Sequence, residues 1–166
     1  MKPTVLSCVI AALWLLSGSP PMASEAVLQP GLFQTLCGRC HDRAGVLVRD
    51  SLDVTDGILR ARRSGRELSK FLPGHFGRPS PQQVDAVSQA LLRIARQQGR
   101  FQTRCGICHA SAEDLARHEL IIVDGTLLGR YSGRKIGAFL ERHGTSSAEE
   151  AAFFEAVLRR VTESVR

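Results

Sequence analysis

The residues best suited to chemistry lie in two short runs, Cys37-Gly38-Arg39-Cys40-His41 and Cys105-Gly106-Ile107-Cys108-His109. In each, two thiols are separated by two residues and a histidine directly follows the second. This spacing reads as covalent attachment of haem c: the thiols add to the two vinyl groups and the adjacent imidazole becomes the proximal iron ligand. A pair of disulfides or a zinc shell of cysteines and histidines are the rival readings. Neither accounts for a histidine after each second cysteine. The expected cofactors are therefore two covalently bound haem c groups, attached through Cys37, Cys40, Cys105 and Cys108, with His41 and His109 on iron.

The two motifs belong to an internal repeat. Laying the first motif on the second also lays Phe33-Gln34-Thr35 on Phe101-Gln102-Thr103 and Asp56-Gly57 on Asp124-Gly125. The same shift aligns Arg62, Ser64-Gly65-Arg66, Phe71-Leu72 and His75 with Arg130, Ser132-Gly133-Arg134, Phe139-Leu140 and His143. The chain reads as a tandem duplication, residues 27–98 and 99–166, behind a leader at 1–26.

The sixth iron ligand decides what such a haem does. With one histidine the iron is open to gases or peroxide; with a second strong ligand it is closed and carries electrons. Methionine and histidine are the usual distal ligands. Beyond residue 26 the chain has no methionine, and three histidines remain outside the motifs: His75, His118 and His143. The step along the chain from His41 to His75 equals the step from His109 to His143. The equal offset assigns both as distal ligands, although flanking residues have drifted. His118 stands opposite Asp50 in the repeat and reads as a surface residue. Arg62, Arg66, Arg130 and Arg134 recur in both halves and are candidates for holding haem propionates, since guanidinium pairs well with carboxylate. A solvated arginine face is the alternative.

The leader is read from Lys2, the apolar run Val5 to Leu16 and the small residues before Ala26. The run is too short for a spanning helix and the pattern suits a cleaved signal peptide. Cys8 lies inside the run, too early to carry a lipoprotein's lipid. The expectation is export to a bacterial periplasm, with no stable membrane insertion after cleavage. Over 166 residues the chain is 43% hydrophobic and 23% charged, which excludes both a disordered and a polytopic membrane protein. The formal charge of +6 persists after the leader is removed, with 21 basic and 15 acidic residues left. A basic exported protein suits redox partners with an acidic docking surface better than nucleic acid.

Elements that would position these residues are legible. Leu28, Leu32, Phe33 and Leu36 mark a helix from Val27 to Cys40 that delivers the cysteines at its end. Asp-Gly within Leu52 to Leu59 and within Leu120 to Leu128 signals a small hairpin, or else an irregular loop under the haem. Ser64-x-x-Glu67 reads as a capping box for a short helix, matched by Ser132-Gly133. Ser80-Pro81-Gln82-Gln83 opens a final helix with the stripe Val84, Val87, Leu91 and Ile94. Ser147-x-x-Glu150 opens its counterpart, with Phe154, Val157, Leu158, Val161 and Val165 buried. Gln97-Gln98-Gly99-Arg100 is either a hinge or a continuation of that first final helix.

The order of a helix ending in C-x-x-C-H, the run Leu127 to Arg134 (Leu-Leu-Gly-Arg-Tyr-Ser-Gly-Arg), a distal-ligand loop and a capped last helix resembles a class I cytochrome c domain. Two such domains in one exported chain resemble the dihaem cytochromes c of bacterial periplasms. The resemblance implies a mainly α fold of two tandem haem-binding domains and outer-sphere electron transfer without catalysis. Histidine stands where that family commonly has methionine, which implies bis-histidine iron. The run 127–134 also lacks the proline whose carbonyl often orients the proximal histidine. A haem enzyme or gas- or peroxide-responsive cytochrome with a displaceable ligand, and an electron-input subunit of a larger oxidoreductase, are the other functions such a chain can serve. No residue set for hydrolytic or phosphoryl chemistry stands out.

Overall fold

The computed structural model describes residues 31–165 apart from Phe76 and Ser146. The expected leader at 1–26 and the expected helix start at Val27 lie outside those residues. The chain is mainly helical with two small antiparallel hairpins. In order it forms α1 (Leu32–Cys37), α2 (Ala44–Ser51), β1 (Leu52–Thr55), β2 (Ile58–Ala61), α3 (Leu68–Phe71), a 3₁₀ turn (Leu72–Gly74) and α4 (Pro81–Cys105). Then come α5 (Ala112–Glu119), β3 (Leu120–Val123), β4 (Thr126–Gly129), α6 (Ile136–Leu140) and α7 (Ala148–Ser164).

The hairpins follow from Asp-Gly. Asp56 and Gly57 have φ of 52° and 74°, and Asp124 and Gly125 have 46° and 71°. Two successive left-handed residues make the turn whose twist suits a two-residue hairpin loop, and aspartate and glycine tolerate that region best. Leu52 then pairs with Ala61 and Leu120 with Gly129. The inward Leu59 and Leu127 are buried in their respective cores.

Two of the expected caps do not form. Ser64 and Ser132 sit in tight turns with Gly65 and Gly133 at φ of 66° and 63°. Their hydroxyls accept from the Arg66 and Arg134 amides. The short helices start only after Glu67 and Lys135, without a side-chain cap, because Arg60 and Leu128 still bridge to Glu67 and Lys135 in extended form. The later caps form as read. Ser80 and Gln83 exchange reciprocal hydrogen bonds around Pro81, and the Ser147 hydroxyl accepts from the Glu150 amide.

Two apolar cores result. Val48, Leu52, Leu59, Leu68, Leu72, Val84, Val87 and Leu91 build the first. In the second, Ala116, Leu120, Leu127, Ile136 and Leu140 occupy the repeat positions of Val48, Leu52, Leu59, Leu68 and Leu72. The register slips by one in the last helix. There Ala151, Phe154 and Leu158 take the parts of Val84, Val87 and Leu91, each one position earlier than the motif alignment dictates. The loop after His143 is shorter by one than the loop after His75, so the caps Ser80 and Ser147 still correspond.

The segment left open as hinge or helix is helix. Helix α4 runs 25 residues through Gln97-Gln98-Gly99-Arg100, about 37 Å at 1.5 Å per residue. Its first half is the last helix of unit one; its end, from Arg100 to Cys105, stands where α1 stands in that unit. A boundary between 98 and 99 therefore falls inside one rigid element. Two contacts reinforce the join: Arg49 of α2 pairs with Glu113 of α5 at 2.7 Å, and the Gln98 amide donates to the Gly45 carbonyl at 2.9 Å. A Cβ at Gly45 would meet the Glu113 carboxylate and push that side chain aside.

Gly99 lies in the helix with open space where a Cβ would project. Gly99→Ala is expected to stabilise the fold by about 1 kcal/mol, read as a rise of about 3 °C in melting temperature. Gly99→Pro is expected to split thermal unfolding into two transitions by breaking α4.

Candidate functional site

Both motif segments are built the same way. Cys37 is the last residue of α1 and Cys105 the last of α4. Beyond each, the chain tightens: the His41 and His109 amides donate to the Cys37 and Cys105 carbonyls, each at 2.9 Å. The Cys40 and Cys108 amides reach the same carbonyls at 3.1 Å. A Cβ at Gly38 or Gly106 would run into the carbonyl oxygen of Gln34 or Gln102, so glycine is the residue this turn accepts. Cys40 and Cys108 are exposed, whereas Cys37 and Cys105 are partly covered and burial pushes their thiols up. All four are free thiols.

The structure brings each motif histidine to its partner at the equal offset. The His41 and His75 ring centres lie 6.2 Å apart, and those of His109 and His143 lie 6.3 Å apart. A metal–imidazole bond of about 2.0 Å and about 1.1 Å from nitrogen to ring centre put two imidazoles on opposite sides of one metal about 6.2 Å apart. The separation of the ring centres in each pair therefore equals that of two imidazoles on one metal; the ring planes are inclined by 28° in the first pair and 64° in the second. Among the described residues, no three of histidine, cysteine, aspartate and glutamate converge on one point.

The second histidine of each pair is positioned by local packing. The His75 amide donates to the Leu72 carbonyl at 2.9 Å and the His143 amide to the Leu140 carbonyl at 3.0 Å. Those leucines are buried in the two cores. The Phe71 ring centre lies 4.7 Å from that of His75, and the Phe139 ring centre 4.5 Å from that of His143. The phenylalanines recur in the repeat alongside the histidines, and that recurrence was the signal for a role that sequence reasoning did not assign. The two sites differ in cover: His75 is half-buried and His143 exposed. His118 is exposed, 3.7 Å from Asp114, and joins neither pair.

The four recurring arginines divide into two kinds. The Arg62 guanidinium donates to the carbonyls of Arg49, Asp50 and Leu52 and to the Asp53 carboxylate. That contact holds the Asp53 carboxyl below its ordinary range. Arg130 likewise donates to the carbonyls of Arg117 and Leu120. Both guanidiniums thus satisfy carbonyls left over at the ends of α2 and α5, where the chain turns into a strand. Arg66 lies with its guanidinium 5.4 Å from the Phe71 ring centre, beside the first histidine pair. Arg134 holds the matching position in the repeat of unit two.

A cleft of about 580 Å³ runs between the units along α4; none of the four motif cysteines or paired histidines lines it. The comparisons with family models, curated proteins and solved structures find no match to this chain.

Arg62→Ala and Arg130→Ala are expected to lower the melting temperature, read by circular dichroism, and an unchanged melting temperature in either variant would show that these carbonyl contacts do not support the fold.

Proposed function

We propose that the chain is an exported dihaem c-type cytochrome that carries electrons through two bis-histidine irons. The observation that supports this most directly is the repeated separation of two imidazole centres, 6.2 Å for His41 and His75 and 6.3 Å for His109 and His143, with two cysteines in the same short segment as the first histidine of each pair. His41 and His75 would hold one iron, His109 and His143 the other, and Cys37, Cys40, Cys105 and Cys108 would attach the porphyrins.

A haem held in this way supplies one-electron chemistry. The protein's part is to keep the coordination shell unchanged when the electron arrives. It does so by anchoring each proximal histidine to the carbonyl of its own first cysteine, and each distal histidine to a buried leucine and a phenylalanine ring. A fixed shell means little reorganisation and fast outer-sphere exchange. Imidazole in place of methionine also lowers the reduction potential. The expected propionate partners are Arg66 and Arg134, with Arg62 and Arg130 occupied on the scaffold. Among the described residues no helix is long and apolar enough to cross a membrane.

A second reading, a gas- or peroxide-responsive site, draws on the exposure of His143, and applies to unit two alone.

The ferrous Soret band of the holoprotein is expected not to move under carbon monoxide. His75→Ala should create one site that binds carbon monoxide stoichiometrically, leaving the other haem unchanged. Carbon monoxide uptake by one haem of the unmodified protein, undiminished by changes in unit one, would favour the second reading. His143→Met is expected to raise one of the two reduction potentials, checked by spectroelectrochemical titration.

A further inference from the structure

The two histidine pairs agree in separation and differ in attitude. The planes of His41 and His75 are inclined by 28°, so those rings are nearly parallel, whereas His109 and His143 are inclined by 64° and stand closer to crosswise. The surroundings of the second histidine differ alongside. Phe139 lies almost flat against His143, with ring centres 4.5 Å apart and planes inclined by 26°. Phe71 meets His75 at 4.7 Å with a tilt of 40°, and Phe71 has the Arg66 guanidinium 5.4 Å from its own ring centre. The loops that follow diverge too. The Thr145 hydroxyl donates to the Leu140 carbonyl, the same oxygen that accepts from the His143 amide. Its repeat counterpart is Gly77, at φ of 98°, which has no hydroxyl to give. The terminal torsion of a histidine is broad when left to itself. A flat aromatic neighbour with preferred contact geometries therefore decides where the ring settles.

Resting on the dihaem reading, we propose that Phe71 and Phe139 are positioning residues that set the attitude of the second imidazole, near-parallel to the first in unit one and near-crosswise in unit two. One fold then makes two electronically different irons. Groups that touch a ligand rather than the metal are a recognised means of tuning a site. An imidazole on low-spin ferric iron donates π density into the d orbital whose lobes stand out of the ring plane. Two parallel rings raise the same orbital, so the pair of d orbitals splits and the vacancy settles in the upper one. Two crossed rings raise both, and the pair stays close in energy. The first arrangement gives a rhombic low-spin resonance; the second gives an isolated low-field feature. The splitting also stabilises the ferric state and leaves the filled ferrous shell unaffected. The attitude of His75 and of His143 thus enters the share of the electron that each iron holds.

The test is low-temperature electron paramagnetic resonance of the full-length, haem-loaded ferric protein and of three variants. The unmodified protein is expected to show two low-spin signals of equal weight, one rhombic and one a low-field feature. Phe139→Leu keeps apolar bulk and removes the ring plane; it is expected to abolish the low-field feature and to leave the rhombic signal in place. Phe139→Tyr keeps the plane and is expected to retain the feature. Phe71→Leu is expected to alter the rhombic signal alone. A low-field feature that survives Phe139→Leu, or that Phe71→Leu removes, overturns the assignment. Loss of the feature in Phe139→Tyr as well would leave only packing and overturns it too. The unmodified protein alone is also decisive, should the leucine variants fail to fold. Two low-spin signals of one type there refute the ring attitudes and leave the dihaem reading standing, whereas absent haem or a high-spin signal refutes the dihaem reading itself.

Discussion

The separation between the two imidazoles of each pair is the constraint on which the remaining structure bears. It is set at both ends by short-range devices. One ring hangs from a turn that closes on its own cysteine carbonyl. The other hangs from the end of a short helix whose leucine is buried and whose phenylalanine flanks the ring. A displacement of either anchor would change that separation, and the hairpin, the arginine and the final helix that fix the anchors are present in both units.

Those supports are economical. Each hairpin sends a leucine inward from both strands, Leu52 and Leu59 in one and Leu120 and Leu127 in the other, and returns the chain to the short helix that ends beside the second histidine. Arg62 and Arg130 tie the start of each hairpin to the end of the preceding helix through carbonyls that no helical amide can reach. The final helix closes the apolar core from the other side. In unit one that helix does not stop: α4 continues until it becomes the cysteine-bearing helix of unit two. Helix α4 therefore joins the core of unit one to the cysteine-bearing segment of unit two, and Arg49 and Glu113 pair across the join.

Much of this was legible in the residues alone. Asp-Gly flanked by apolar residues gave the hairpins, because the dipeptide encodes its own turn. Ser80-Pro81-Gln82-Gln83 gave a helix start for the same reason. The equal offset of His75 from His41 and of His143 from His109 pointed to the facing histidines, and the geometry brings those residues together. Long-range satisfaction of polar groups was not legible. Ser64 followed by Glu67 has the letters of a capping box, yet a β-bridge at Glu67 keeps the chain extended past the serine. Arg62 and Arg130 stood as candidates for propionate contacts beside the alternative of a solvated face; their bonds to backbone carbonyls were not legible, because they join positions ten or more residues apart. Gly99 suggested a hinge by its type, but α4 packs into both cores on either side of it and overrides a propensity cost of about 1 kcal/mol. The slip in register between the repeats, hidden in a loop, emerges only when Phe154 and Leu158 are seen in the parts of Val87 and Leu91.

Low-temperature electron paramagnetic resonance of the oxidised, haem-loaded protein tests the imidazole pairs most directly, since spin state reports the axial ligands of both irons together. Two imidazoles per iron predict low-spin ferric signals that account for two irons per chain. A high-spin signal at full haem occupancy would mean that at least one ring pair does not clasp a metal, and the account of the fold as a device for holding those pairs would be wrong.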